Sequence, residues 1–196
     1  MTKAEKTRQF IIEKTAPVFN RKGYAGTSLS DITEATGLTK GSIYGNFSNK
    51  DEVALAVFDY NFGLMSSIIK KKIDDKPNAI DKLKVYLTLY SQFILFPALE
   101  GGCPVLNTAI EADDTHEALR SKAASAIEKW HKTIQNIIKE GQEKGQVRKG
   151  AAAKDFALAF IALVEGGIMI TKVTGKMEGF KTAMKQAEKM IDKIAK

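Results

Sequence analysis

The chain is poor in the residues that would cross-link it or break it into strands. It has one cysteine, Cys103, in 196 residues. No internal disulfide is possible, which fits a reducing, cytoplasmic setting. There are four prolines, and no stretch alternates apolar and polar residues at the period of a strand. The two histidines, His116 and His131, lack the His/Cys spacing of a structural zinc site. No Gly-rich phosphate loop and no acid–base constellation is present, so no enzyme, metal or cofactor is expected. The acidic cluster Glu111, Asp113, Asp114 and Glu117 is expected to be a solvated loop. The longest apolar run, Phe156 to Ile170, is interrupted by Glu165 and is shorter than the roughly 20 residues that span a bilayer. The opening MTKAEKTRQFII carries charge but no apolar segment of a signal peptide. A soluble protein with no membrane partner is expected.

Hydrophobic content of 44% and charged content of 27% are ordinary for a globular chain. The net charge is +7, and its placement is uneven. Residues 1–50 hold eight Lys/Arg and four Asp/Glu, a net of +4, and the other three quarters of the chain hold +3. A compact basic region suits a polyanion or an anionic surface, or is simply a solvated face.

Apolar residues recur at helical period almost throughout, so the fold class is all-α, with about nine helices. A first helix is predicted from about Ala4 to Lys22, with Pro17 inside it and Gly23 ending it. Two very short helices follow, one capped by Thr27 or Ser28 and running to Thr36, the other capped by Thr39 and running to about Phe47. Gly37 makes the turn between them. A long helix with Asp51 and Glu52 in its first turn should reach about Ile73. Further helices are predicted at about 78–96, after the GGCP break at 101–104, and at about 117–144, 152–173 and 177–195.

Two short helices in succession, joined by a glycine turn, are the outline of a helix-turn-helix. A helix that enters a major groove must stand proud of its domain with a polar outer face. Ile32, Ala35, Leu38, Ile43 and Phe47 supply an inner face, and Lys40, Ser42, Tyr44 and Asn46 are left to point outward.

The segment GYAGTSLSDITEATGLTKGSIYGNFSNKDEV resembles the DNA-binding signature of TetR-family transcriptional regulators. The resemblance is specific over about residues 6–58 and architectural beyond them. It implies a DNA-binding domain at 1–48 and a helical effector-binding and dimerisation domain at 49–196. It implies that Thr27, Ser28, Thr39, Tyr44, Asn46 and Lys50 hold the phosphate backbone, while Lys40, Gly41 and Ser42 approach base edges. Asn46 stands where the family more often has His, and Gly45 where a bulkier residue is usual. The operator is therefore not transferable from relatives.

Residues 51–196 exceed what DNA reading needs. Phe156, Phe160, Leu163, Val164 and Gly167 form one stripe, and Phe180, Met184, Ala187 and Ile191 form another. The resemblance implies that these two helices build a homodimer interface, which would set two readers about 34 Å or a multiple apart. Apolar side chains with isolated polar groups run through the middle of the chain: Phe62, Met65, Tyr90, Phe93, Cys103, Asn107, Trp130, Ile134 and Glu165. They are candidates for a small-molecule effector pocket, with the ordinary helical core as the competing reading. Cys103, just before a helix start at Pro104, could be a reactive thiol or a small buried hydrophobe. The leading expectation is a dimeric repressor that releases a palindromic operator when its effector binds. The alternative is a helical ligand-binding or thiol-sensing protein whose helix-turn-helix is only a packing module.

Overall fold

A computed structural model of the chain describes residues 1–93 and 101–196, with side chains described for all of these except 90–93. Among the described residues there are nine helices and, beyond one isolated Val147–Ala195 bridge, no strand. They are α1 (Lys3–Gly26), α2 (Leu29–Thr36), α3 (Lys40–Tyr44), α4 (Lys50–Asp74), α5 (Ala79–Phe93), α6 (Pro104–Ala112), α7 (Glu117–Glu143), α8 (Ala153–Thr174) and α9 (Glu178–Ile194).

Residue contacts divide the chain into two compact units, Met1–Leu64 with Phe96–Ser125, and Met65–Leu95 with Ala126–Lys196. In the first unit, α1 opens with a complete capping box between Thr2 and Glu5. It runs past Pro17 and breaks at Gly23, where φ is 75°. A side chain is doubly excluded there: the backbone is left-handed, and a Cβ would lie 2.5 Å from a Glu111 carboxylate oxygen. The carboxylate of Glu111, on α6, accepts the freed N–H groups of Tyr24 and Ala25 at 2.7 and 2.8 Å. The core of this unit includes Ile11, Ala16, Phe19, Ile32, Ile43, Phe47, Val53 and Val57.

In the second unit, Tyr86, Trp130, Phe160 and Phe156 form a continuous cluster. Tyr86 lies 6.1 Å from Trp130 and 5.9 Å from Phe160, and Phe160 stacks on Phe156 at 5.8 Å between ring centroids. Burial raises the Tyr86 hydroxyl well above the ordinary tyrosine value. Helix α8 packs on α9, with Gly167 at the crossing. A Cβ at Gly167 would lie 2.9 Å from the Ala183 Cβ and 3.4 Å from the Phe180 Cα.

By length and composition alone, α4 and α8 are long and apolar enough to cross a membrane. The apolar run Phe156 to Ile170 is shorter than the helix that carries it, which has 22 residues. Core helices of globular proteins reach the same composition, and the face of α8 carrying Phe156, Phe160, Val164 and Gly167 is buried.

Candidate nucleic-acid interface

Helices α2 and α3 are set by local capping. Ser28, not Thr27, is the cap of α2. Its hydroxyl accepts the Asp31 N–H at 3.1 Å, and the Asp31 carboxylate accepts the Ser28 N–H at 2.7 Å. Lys22 donates to Asp31 at 2.5 Å, and these bonds hold the Asp31 carboxyl far below the usual carboxylate range. Gly37, at φ 68°, ends α2. The Thr39 hydroxyl accepts the Ser42 N–H at 3.2 Å and starts α3.

Helix α3 has five residues, too few to persist alone. It is fixed by its inner face and its ends. Ile43 is 0% exposed and Phe47 is buried. The opposite side is open: Thr39, Lys40, Gly41 and Tyr44 are exposed, and Ser42 is half-buried. No acidic side chain pairs with Lys40 among the described residues.

The other residues expected at DNA are occupied inside the protein. Thr27 is 0% exposed, and its hydroxyl donates to the Gly23 carbonyl at 2.6 Å. Asn46 turns back to donate to the Ser42 carbonyl at 2.9 Å. Lys50 donates to the Tyr24 and Thr27 carbonyls at 2.8 and 2.9 Å, and its ammonium sits 4.2 Å over the Tyr24 ring. Lys50 thus closes the broken end of α1. The Tyr24 hydroxyl donates to Asp51, which with burial raises its pKa to about 12.

Arg8 was not among the expected site residues. Its guanidinium donates to the Asn46 carbonyl at 2.5 Å and to Glu52 at 2.7 Å, and lies 3.9 Å over the Phe47 ring. Its partners are up to 44 residues away in sequence, so no local pattern announces it.

The expected effector residues fall in different places. Met65, Cys103, Trp130 and Ile134 are buried, and Phe62, Asn107 and Glu165 are half-buried. The side chains of Tyr90 and Phe93 lie outside the described residues. Asn107 donates to the Asn20 carbonyl at 3.0 Å and to the Gly101 carbonyl at 2.9 Å, joining the GGCP loop to α1. It also lines a cavity of about 30 Å³ with Phe19, Asn20, Tyr24, Asn61 and Glu111, room for one water molecule. In the second unit, an open cleft of about 260 Å³ is lined by Lys72, Lys76, Asp81, Lys84, Val85, Thr88 and Leu89. It contains none of the expected effector residues. Its lysines are offset by Asp81 and by Asp192 and Glu188, which lie 3.0 and 3.9 Å from Lys84.

The residues expected at a subunit interface are mostly interior to one chain. Phe156, Phe160, Val164, Gly167, Phe180, Met184, Ala187 and Ile191 are buried, and Leu163 is half-buried. Periodicity identified a real packed stripe, but α8 is apolar on two sides. Which side meets a neighbour in the same chain is a tertiary fact. The side left open carries Leu158, Met169, Ile170 and Val173, the last 81% exposed.

Two family models match the chain. One, described as bacterial regulatory proteins of the tetR family, covers residues 11–57, and one described as a tetracyclin repressor-like C-terminal domain covers residues 79–187. A transcriptional repressor of Mycobacterium sp. (strain GP1), DhaR, is 30% identical over 87% of this chain and 85% of its own length. The crystal structure of a TetR-family regulator from Cytophaga hutchinsonii superposes with a TM-score of 0.95 at 49% identity, covering 100% of this chain and 98% of that one. A TetR regulator from Chloroflexus aurantiacus gives 0.93 at 34% identity, with the same coverage.

Proposed function

The chain belongs to the TetR family of DNA-binding transcriptional regulators, and on that premise we propose that it is a homodimeric repressor that leaves a palindromic operator when a small, largely apolar effector binds. The family is one of regulators rather than enzymes. Residues 1–48 read DNA, and 49–196 serve effector binding and dimerisation in the cytoplasm. The observation that carries the reading is the two-sided character of α3. Ile43 and Phe47 are buried while Lys40, Gly41 and Tyr44 face solvent, the division a groove-reading helix needs.

The roles divide by exposure. Lys40, Gly41 and Ser42 approach base edges, and Lys40 is suited to guanine O6/N7. Ser28 and Thr39, at helix N-termini, and Tyr44 contact phosphate. Thr27, Asn46 and Lys50, all engaged internally, hold the frame that presents them. Dimerisation uses the open side of α8, where Leu158, Met169, Ile170 and Val173 leave apolar surface in water. The apolar character of the effector rests on the candidate residues Phe62, Met65, Trp130 and Ile134.

Footprinting of genomic DNA tests the reading. A protected palindrome, its half-sites about one helical turn or a multiple apart, is expected. Failure to retain any duplex at about 0.15 M salt, where specific complexes of this kind persist, would overturn it.

A further inference from the structure

The guanidinium of Arg8 meets three residues at once, all just beyond the recognition helix. Nη1 donates to the Asn46 carbonyl at 2.5 Å, Nη2 donates to Glu52 Oε1 at 2.7 Å, and the plane covers the Phe47 ring at 3.9 Å. Glu52 is itself fixed: Oε2 accepts the Ser48 N–H at 2.7 Å, and its own N–H donates to Asn49 Oδ1 at 2.8 Å. Resting on the reading of α3 as the groove helix, we infer that Arg8 is a positioning residue for DNA reading, which clamps the α3–α4 turn and so sets the orientation of α3 without touching DNA.

Three physical points carry this. A five-residue helix cannot satisfy its own last carbonyls, and Arg8 supplies a donor and a positive charge just past that end, where the helix dipole favours it. Phe47, in the turn that follows α3, is buried, and the guanidinium covers its ring, so the turn cannot roll without losing the stack. The Arg8 charge is matched by Glu52 at 2.7 Å, so the pair adds little to the long-range attraction for phosphate. A lysine, being a compact point charge, cannot supply both donors and the stacked plane together.

The alternative role for an arginine at this end of the molecule is a phosphate grip, and the two roles differ in their salt dependence. Loss of one phosphate contact lowers the slope of log K against log salt by about 0.9. Loss of a clamp leaves the slope unchanged and weakens base discrimination instead. The test compares the wild type, Arg8→Met and Arg8→Lys on two probes across about 50–200 mM salt. One probe is the duplex that the wild type enriches from a random-sequence library, and the other is the unselected pool. Arg8→Met should lose about tenfold on the enriched duplex, change about twofold or less on the pool, and keep the wild-type slope. Arg8→Lys should recover only part of the loss. A slope reduced by about 0.9 with equal losses on both probes makes Arg8 a phosphate contact and overturns the clamp. Full discrimination in Arg8→Met overturns it as well. Should Arg8→Met fail to fold, Glu52→Gln replaces it: it keeps the side-chain size but removes the ion pair. A smaller loss of discrimination at constant slope supports the clamp, and unchanged discrimination in both Glu52→Gln and Arg8→Lys overturns it. If the wild type enriches no duplex, the reading of α3 falls and the clamp with it. If it enriches one and Arg8→Met keeps the preference, only the clamp falls.

Discussion

Five residues make α3 and 22 make α8, and the two are held in place by different forces. Helix α3 must leave one side polar and open, so it can bury little. Its position depends on single bonds: the Thr39 cap, the Asn46 side chain returned to Ser42, and the Arg8 contacts. Helix α8 is held by area. Phe156, Phe160, Val164 and Gly167 are buried along one side, and no one contact dominates. The proposed reading helix is therefore held by a few removable contacts, whereas a core helix is held by many shared ones.

The largest effect should come from the helix that rests on area. Phe160→Ala removes a ring that is 0% exposed and in contact with Tyr86 and Phe156. It should cost about 3–5 kcal/mol, read as a lowered urea midpoint. Ile43→Ala should cost somewhat less, about 2–4 kcal/mol, but should abolish DNA retention while Phe160→Ala, if still folded, preserves it. A greater loss of global stability from Ile43→Ala than from Phe160→Ala would break the contrast between the two helices. Next comes the open side of α8. Leu158→Glu with Val173→Glu should convert dimer to monomer in sedimentation and leave the helix content unchanged. A persistent dimer would place the interface elsewhere. Thr39→Ala removes one cap and should weaken operator binding by about fivefold, from roughly 1 kcal/mol, with no change in the urea midpoint of the second unit.

The same contrast explains what the sequence could reveal. Caps act over three residues, so Thr39 can be read as the cap of α3 from local sequence, and the cap of α2 narrows to Thr27 or Ser28, of which the structure takes Ser28. The turn at Gly37 was legible for the same reason. Helix periodicity gave the buried stripes of α8 and α9, but not which apolar side of α8 turns inward, because both sides fit the period. Nothing local pairs Arg8 with Glu52, or Glu111 with Tyr24 and Ala25, 87 and 86 residues away. The family resemblance is what implies a phosphate contact for Lys50. In the structure two of its donors go to the Tyr24 and Thr27 carbonyls at the end of α1. A long cation's destination depends on which unsatisfied carbonyls the fold brings near it.

Acid offers the mildest separation of the two regions. Asp31 and Glu52 hold the α2 cap and the α3–α4 turn, and both carboxyls are depressed below their ordinary values of 3.8 and 4.5. The Asp31 shift comes first from the Lys22 bond and then from Ser28. The Glu52 shift comes first from the Ser48 N–H and then from Arg8. A depressed folded pKa means that the contribution to stability is complete above the ordinary carboxylate range and is lost as pH falls below it, through the folded value. Both groups are half-buried at the surface and still reached by solvent, so the effect is small and screened by salt. Trp130 is the sole tryptophan and stacks on Tyr86, so its fluorescence reports on the second unit alone. Hydrogen exchange at the Ser28 and Ser48 amides reports on the reader. As pH is lowered below about 4, protection at these two amides should fall before the Trp130 emission moves. Asp31→Asn should remove most of the pH dependence at Ser28 and leave that at Ser48 intact. Simultaneous loss of both signals would mean that the reader is stabilised by the same distributed packing as α8, and not by its few polar contacts.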